Sequence, residues 1–348
     1  MFDTIAPHLP LILALIIATA VTFYVLLDGF DLGIGILFLF APSEADRRRM
    51  INTIAPIWDG NETWLVLGGG GLLAAFPVAY SVLLPAFYMP IMIMLLALVF
   101  RGVAFEFHAK ATKHKYIWNL SFSIGSIVAT FSQGVVLGAF IEGVKISGDH
   151  YAAFQYAGDH FDWLSPFTLF CGMALICGYT LLGACWLVKK TEGPLQKWAG
   201  SMGRLLLFVV SIFIGGVSIL TPIQEPEIYR RWFEANHFVM LLPVPIITFY
   251  CICRCWISLG NSMIGKGKDY APYLYTSAIF ILSFFGLGIS FWPYLVPYQI
   301  TIWQAAAAPN SQFFILIGVV LILPVILLYT GFVYKVFWGK TTDDMHHY

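Results

Sequence analysis

Long apolar runs, separated by short polar segments, fill almost the whole chain. A helix that crosses a bilayer needs about 20 predominantly apolar residues. Nine runs reach roughly that length, and charged residues concentrate between them. The pattern therefore predicts an all-α integral membrane protein of about nine transmembrane helices, at residues 10–40, 52–76, 79–103, 117–141, 164–188, 203–221, 237–259, 273–296 and 312–336.

Composition supports this prediction. Hydrophobic residues make up 59% of the 348 residues and charged residues only 11%, whereas charged residues are about 25% of an average soluble domain. Lipid is therefore the expected surrounding of most of the surface. The formal net charge is zero, so no overall field indicates a nucleic-acid partner.

The basic residues lie almost entirely on one side of the nine predicted helices. Of the 19 lysines and arginines, all but Lys145, Arg230 and Arg231 fall on the side that holds the C-terminus. Loops rich in Lys and Arg stay in the cytoplasm. We therefore predict an N-terminus outside and a C-terminus in the cytoplasm. The side that holds the C-terminus is called the inner side.

A weak repeat divides the predicted membrane domain, which spans residues 1–348. Tyr24 begins the sequence Tyr-Val-Leu-Leu in the first helix, and Tyr179 begins Tyr-Thr-Leu-Leu in the fifth. Helices four apart run in the same direction, so a parallel repeat is expected. The halves would be two four-helix bundles at about 9–142 and 164–296, with a ninth, peripheral helix at 312–336.

Carboxylates interrupt the first two predicted helices at matching intervals. Asp28 and Asp31 are three residues apart, as are Asp59 and Glu62, so each pair shares a helix face. The two helices form a hairpin around a loop centred near residue 45. This arrangement puts Asp31 level with Asp59 and Asp28 level with Glu62. We expect four carboxylates in two layers in the inner half of the membrane.

Carboxylates in a bilayer are costly and usually functional. The four cannot all be charged in a dry site, so some must be protonated, hydrated or paired with Arg101, near the inner end of the third helix. The interpretation we favour is a proton pathway. A polar network that only fixes helix packing and a site for a bound cation stay open as alternatives.

Three further residues of the second helix belong to the candidate site. Asn61 and Trp64 carry groups that could form hydrogen bonds within the carboxylate cluster. Trp58 either caps this cluster or is an ordinary interfacial tryptophan.

The histidines argue against a haem in this chain. A haem within a helical bundle needs axial ligands, commonly His or Met. All eight histidines lie in loops, tails or helix ends, and His237 at the outer start of the seventh helix is the one best placed to be a ligand. We therefore expect no haem and no metal site here.

Two sequence blocks on the first hairpin are specific enough to indicate a family. Asp28-Gly-Phe-Asp31-Leu-Gly-Ile-Gly and Trp58-Asp59-Gly-Asn61-Glu-Thr-Trp64 resemble the N-terminal signature of cytochrome bd-type ubiquinol oxidase subunit II. Further segments resemble the same family in the same order: Arg101-Gly-Val-Ala-Phe-Glu106, Gly178–Trp186 and Pro324–Thr330. The stretch from Trp303 to Pro309 resembles the cyanide-insensitive branch.

The resemblance implies a fold, a role and partners. Subunit II of this family is two four-helix bundles plus a peripheral helix, in a bacterial cytoplasmic membrane. It pairs with subunit I, which holds haem b, haem d and the quinol site, and some complexes add a small single-helix subunit. The complex oxidises quinol and reduces dioxygen to water with cytoplasmic protons. Subunit II stabilises subunit I, helps conduct protons and in some members holds a structural quinone.

Under this resemblance the proton pathway is Asp28, Asp31, Asp59 and Glu62, and the residues that support it are Trp58, Asn61, Trp64, Arg101 and Glu106. No residue of this chain is expected to be catalytic itself. Two alternatives from other classes stay open: a self-contained proton- or cation-coupled transporter, and a purely structural scaffold.

Overall fold

The computed structural model describes residues 5–110, 115–148, 154–233 and 241–341. Helices dominate these residues, and the strands form only two short antiparallel hairpins. The helices are α1 Leu9–Leu37, α2 Glu44–Asn52, α3 Trp58–Ala75, α4 Pro77–Ala86, α5 Tyr88–Lys110, α6 Lys115–Glu142, α7 Pro166–Lys190, α8 Gly193–Gln224, α9 Pro226–Phe233, α10 Pro243–Met263, α11 Ala271–Phe291, α12 Ile302–Ala305 and α13 Pro309–Val336. The strands are β1 Ile146–Ser147, β2 Gln155–Tyr156, β3 Tyr294–Val296 and β4 Ile300–Thr301.

The helical membrane fold is confirmed. Within the described residues, eight helices are long and apolar enough to cross a membrane: α1, α5, α6, α7, α8, α10, α11 and α13. The 18-residue helix α3 is less apolar because its first turns carry Asp59, Asn61 and Glu62. It packs on α1, and of the nine predicted helices it is the one that is not among these eight.

Two predicted boundaries in the first half were wrong. The helix predicted at 52–76 begins at Trp58, after the short polar helix α2 and a turn around Pro56. The helix predicted at 79–103 is two helices, α4 and α5, which are separated at Phe87. The whole segment is apolar, so hydropathy alone could not reveal the break.

The two predicted halves meet where α1 crosses α7. A Cβ on Gly33 would lie 1.8 Å from the carbonyl oxygen of Tyr179, and one on Gly183 would lie 2.6 Å from the backbone of Gly33. Glycine is therefore required at both positions, because the backbones touch there. Helices α3 and α6 pack on α1, and α5 packs on α6. Helices α8 and α11 pack on α7, α10 packs on α8 and α11, and α13 packs on α1 and α3.

Candidate functional site

A buried arginine joins the first three membrane helices. Arg101 on α5 is 1% exposed, and its Nη1 lies 2.9 Å from Oδ1 of Asp28 on α1 and 2.7 Å from Oε1 of Glu62 on α3. The Asp28 side chain is fully buried, and that of Glu62 is 26% exposed. The predicted layer of Asp28 and Glu62 therefore exists, and Arg101 holds it together.

Small residues make room for Arg101. A Cβ on Gly125 of α6 would lie 2.9 Å from the carbonyl oxygen of Ala97 and 3.2 Å from Cβ of Arg101, so α5 and α6 approach closely at this level. On the other side, the ring of Trp58 lies over Gly102 and packs against Phe105, with 5.0 Å between ring centroids. The close approach of α6 and the packing of Trp58 thus hold the segment of α5 that carries Arg101.

A second polar layer surrounds Asp31. Asn61 Nδ2 donates to Oδ2 of Asp31 at 2.7 Å and to the carbonyl oxygen of Leu27 at 3.3 Å. The hydroxyl of Tyr334 on α13 donates to Oδ1 of Asn61 at 2.9 Å. Asn61 therefore connects the first helix to the last, and the predicted role of Asn61 within the carboxylate cluster agrees with this geometry.

Several polar atoms of this cluster keep unused hydrogen-bonding capacity. Oδ2 of Asp28, Oδ1 of Asp31, and Nε and Nη2 of Arg101 are buried and have no hydrogen-bond partner among the described residues. Buried polar atoms are normally paired with protein or water. The cluster therefore has donors and acceptors for additional protons or water molecules.

Asp59 does not join the layer predicted for it. Its side chain is exposed, and the position facing Asp31 is taken by Asn61. The helix explains the difference: the buried positions of this part of α3 are Asn61 and Trp64, which are three residues apart and define the face towards α1. Asp59 lies on another side of the helix, in its first turn, and is exposed at the surface of the isolated chain.

The remaining predicted residues have mixed positions. Trp64 is buried and stacks on Phe23 at 4.7 Å, but its Nε1 has no partner among the described residues, so the expected hydrogen bond to the cluster is absent there. Glu106 is half-buried, nearer the inner end of α5 than Arg101. His237, the histidine best placed as a haem ligand, lies outside the described residues.

Sequence reasoning missed two residues that extend the site. Gln133 on α6 donates from Nε2 to the Tyr24 hydroxyl at 2.8 Å and accepts from the Tyr179 hydroxyl at 3.0 Å. It thereby joins the two tyrosines of the weak repeat. A glutamine in the middle of an apolar helix is a usable signal. Tyr334 gives no such signal, since tyrosines near helix ends usually mark the membrane interface.

Aromatic rings of α1, α7, α11 and α13 pack together beside the Asp31 layer. Phe30 stacks on Trp186 with 4.0 Å between centroids, and the edges of Tyr273 and Tyr334 complete the group. Lys189 lies 4.4 Å from the centroid of the Trp186 ring. Phe30 and Trp186 are both fully buried, so this group is densely packed.

Fold and site together define a multi-pass helical membrane protein whose polar centre lies inside the bundle. Residues 9–337 match the family model described as cytochrome bd terminal oxidase subunit II. The chain therefore belongs to the cytochrome bd oxidase subunit II family, and it is a subunit of an oxidoreductase complex of the inner membrane.

Relatives agree over almost the full length. The chain is 29% identical to cytochrome bd-I ubiquinol oxidase subunit 2 of Escherichia coli K12, over 95% of this chain and 93% of the relative. It is 28% identical to cytochrome bd ubiquinol oxidase subunit 2 of Bacillus subtilis, over 90% and 91%. The fold is similar to a chain of the bd oxidase from Geobacillus thermodenitrificans, with a TM-score of 0.71, 17% identity and coverage of 94% and 98%. Family membership therefore favours a subunit of an oxidase complex over the alternative of a self-contained transporter.

Proposed function

We propose that this chain conducts protons from the cytoplasm towards the oxygen-reducing centre of a quinol oxidase, through Asp28, Asp31 and Glu62. The main observation behind this proposal is that one atom of Arg101, Nη1, contacts both Asp28 and Glu62 inside the membrane. Two carboxyl groups share one guanidinium, and Asp31 in the next layer is hydrogen-bonded to the neutral side chain of Asn61. Charge balance in a site of low polarity then requires protons on part of the carboxyls, and those protons are the ones available for transfer.

The orientation of the chain has the N-terminus outside and the C-terminus in the cytoplasm. The uneven distribution of Lys and Arg supports it. In this orientation α2 and the inner ends of α1, α6 and α7 face the cytoplasm, which is the source of the protons.

The partner in this proposal is subunit I, which carries haem b, haem d and the site of quinol oxidation. The exposure of Asp59 in the isolated chain supports a partner subunit packed against α3, because a carboxylate that faces lipid is costly. Beside a partner subunit, Asp59 would pass protons from Glu62, in the same first turns of α3, to the partner. A small single-helix subunit is compatible with the exposed apolar surface of α13.

A bound cation and a structural quinone are less well supported. Arg101 already provides the positive charge that a cation would bring to the carboxylates. The apolar cavity between α1, α3 and α13, lined by Leu13, Gly71 and Ile315 among others, has a volume of ≈ 20 Å³. Ligand pockets measure about 300–1,000 Å³, so this cavity does not fit a quinone ring.

The experiment is an Asp28→Asn substitution in the intact complex. The complex is purified through a tag on this chain, and its haem spectrum and quinol oxidation rate are measured. We expect a haem-containing complex that turns over at least about tenfold more slowly, somewhat below what a positioned proton donor contributes. Wild-type turnover per haem would refute the proton role and leave a structural scaffold. A colourless chain that purifies alone would refute the partnership.

A further inference from the structure

One face of α6 is polar over four turns. Asn119, Ser123, Ser126, Thr130 and Gln133 follow one another at intervals of four, three, four and three residues, which is the spacing of one helix face. We call these five residues the polar seam. Its side chains are intermediate in exposure at the two ends and fully buried in the middle.

The seam faces α1 and passes the depth of Asp28. A Cβ on Gly35 of α1 would lie 2.0 Å from Oγ of Ser126, and Tyr24 of α1 contacts Gln133. The two helices run antiparallel, so Thr130, between Ser126 and Gln133, lies at the depth of Asp28, between Gly35 and Tyr24. Asn119 and Thr130 are about 16 Å apart along the axis, at 1.5 Å per residue.

Three side chains of the seam have polar atoms without a partner. Hydroxyls on membrane helices commonly bond to the carbonyl oxygen four residues earlier, and Ser126 does so, donating to the carbonyl oxygen of Phe122 at 2.8 Å. In contrast, Oδ1 of Asn119, Oγ of Ser123 and Oγ1 of Thr130 are buried without a hydrogen-bond partner among the described residues. Ordered water is the usual partner of such atoms.

The inner end of the seam opens at a polar surface cavity. This cavity has a volume of ≈ 310 Å³ and is lined by Glu44 and Arg48 of α2 and by Lys115, Tyr116 and Asn119 of α6. Asn119 thus belongs both to the cavity and to the seam. The cavity lies on the side that the charge distribution predicts to be cytoplasmic, and it has ample room for water.

We propose that water enters at this cavity, occupies the polar seam of α6 and carries protons from the cytoplasm to Asp28. The seam supplies one hydrogen-bonding side chain per turn, so water molecules along it can bridge from one polar group to the next in an otherwise apolar surrounding. The inference rests on the proposed proton role of the carboxylates, and it adds the route by which protons reach them.

The test measures water access directly in the intact oxidase complex. Thr130→Cys and Ser123→Cys are made separately, and each complex is treated with 2-aminoethyl methanethiosulfonate, which needs a hydrated thiolate. Site-specific labelling is followed by peptide mass spectrometry. Ala129→Cys is the matched control, since Ala129 is the neighbour of Thr130 and equally buried. Native Cys185, which is also fully buried, is an internal control.

We expect both seam cysteines to react at least about tenfold faster than the Ala129→Cys control, because an apolar surrounding suppresses the thiolate. Equal, slow labelling of all three positions would overturn the proposal. Ser123→Cys lies nearer the cavity and gives a second reading if the Thr130→Cys complex does not assemble.

A second measurement tests transport. Thr130→Val and Ser123→Ala remove only hydroxyls and should lower quinol oxidation per haem. Ser132→Ala changes a buried serine on another face of α6 and should not lower it.

The two measurements together distinguish the possible outcomes. If the seam cysteines are labelled but turnover of both hydroxyl variants is unchanged, the proposed route is overturned. Inert seam cysteines together with a slow Asp28→Asn complex would refute the seam and keep the proposed function. A labelled seam and slow seam variants beside a wild-type Asp28→Asn complex would refute the carboxylate role instead.

Discussion

Arg101 and Asp28 are 73 positions apart in the chain and form an ion pair of 2.9 Å, with both side chains at most 1% exposed. The pair ties α5 to α1, and the contact of the same Nη1 with Glu62 adds α3. A buried charge whose partner is removed is strongly destabilising. The pair is therefore both a structural clamp and the centre of the proposed proton site.

The first prediction concerns this clamp. Arg101→Gln should destabilise the complex by about 3–5 kcal/mol, because it leaves buried carboxylates without a cation. Adding Asp28→Asn to Arg101→Gln should restore part of the loss, since one uncompensated carboxylate disappears. Thermal unfolding of the purified complexes measures both effects. Arg230→Gln, at an arginine of α9 whose side chain is 70% exposed, is the control and should change little. Additive effects of Arg101→Gln and Asp28→Asn would contradict a direct pair.

The second prediction concerns the link from α13. Tyr334→Phe removes the hydroxyl that donates to Asn61 and should cost about 1 kcal/mol of stability. If Asn61 positions Asp31 for proton transfer, quinol oxidation per haem should also fall. Tyr329→Phe, on the exposed side of the same helix, provides the matched comparison. Identical stability and turnover in the two variants would show that the hydrogen bond to Asn61 has no role.

A third prediction separates Asp59 from the buried cluster. Because Asp59 is exposed in the isolated chain, Asp59→Asn should leave the complex as stable as wild type and lower turnover only through transfer to the partner. Glu62→Gln loses an ion pair with Arg101 and should lower both stability and turnover. Melting temperatures and turnover of the two variants are the measurements that distinguish these roles. Equal destabilisation by both substitutions would place Asp59 within the cluster after all.

The fourth prediction tests the crossing of α1 and α7. Gly33→Ala should prevent normal assembly, because its Cβ would overlap the carbonyl oxygen of Tyr179 at 1.8 Å. Gly215→Ala, at a helical glycine where a Cβ would have no neighbouring atom within 4 Å, should be neutral or slightly stabilising. The yield of haem-containing complex is the measurement. A normal yield of the Gly33→Ala complex would refute the close crossing.

The spacing of the carboxylates was enough to predict half of the site. Hairpin symmetry predicted that Asp28 and Glu62 lie at the same depth, because depth in a membrane hairpin follows from counting residues. Pairing with Arg101 was one of three possibilities that the sequence left open, beside protonation and hydration. Hairpin symmetry failed for Asp59, since α3 begins six residues later than the predicted helix and turns Asn61 towards Asp31 instead. Rotation about a helix axis depends on packing with its neighbours, and hydropathy carries no information about it.

Contacts between distant helices were the least predictable part. Tyr334 and Gln133 enter the network through α13 and α6, whose positions relative to α1 depend on the whole bundle. The polar spacing of α6 is visible in the sequence, but the sequence does not show that this face of α6 packs against α1. The break between α4 and α5 was also hidden, because both flanking segments are apolar.

Proton conduction through the buried carboxylates is tested most directly by proton uptake during a single oxidation of the fully reduced complex, followed with a pH indicator dye. The wild-type complex is compared with Glu62→Gln, and both are normalised to haem content. We expect Glu62→Gln to slow proton uptake by at least about tenfold while the haem spectrum is unchanged. Uptake at the wild-type rate in both the Glu62→Gln and the Asp28→Asn complexes would contradict this expectation and leave these buried carboxylates with a structural role only.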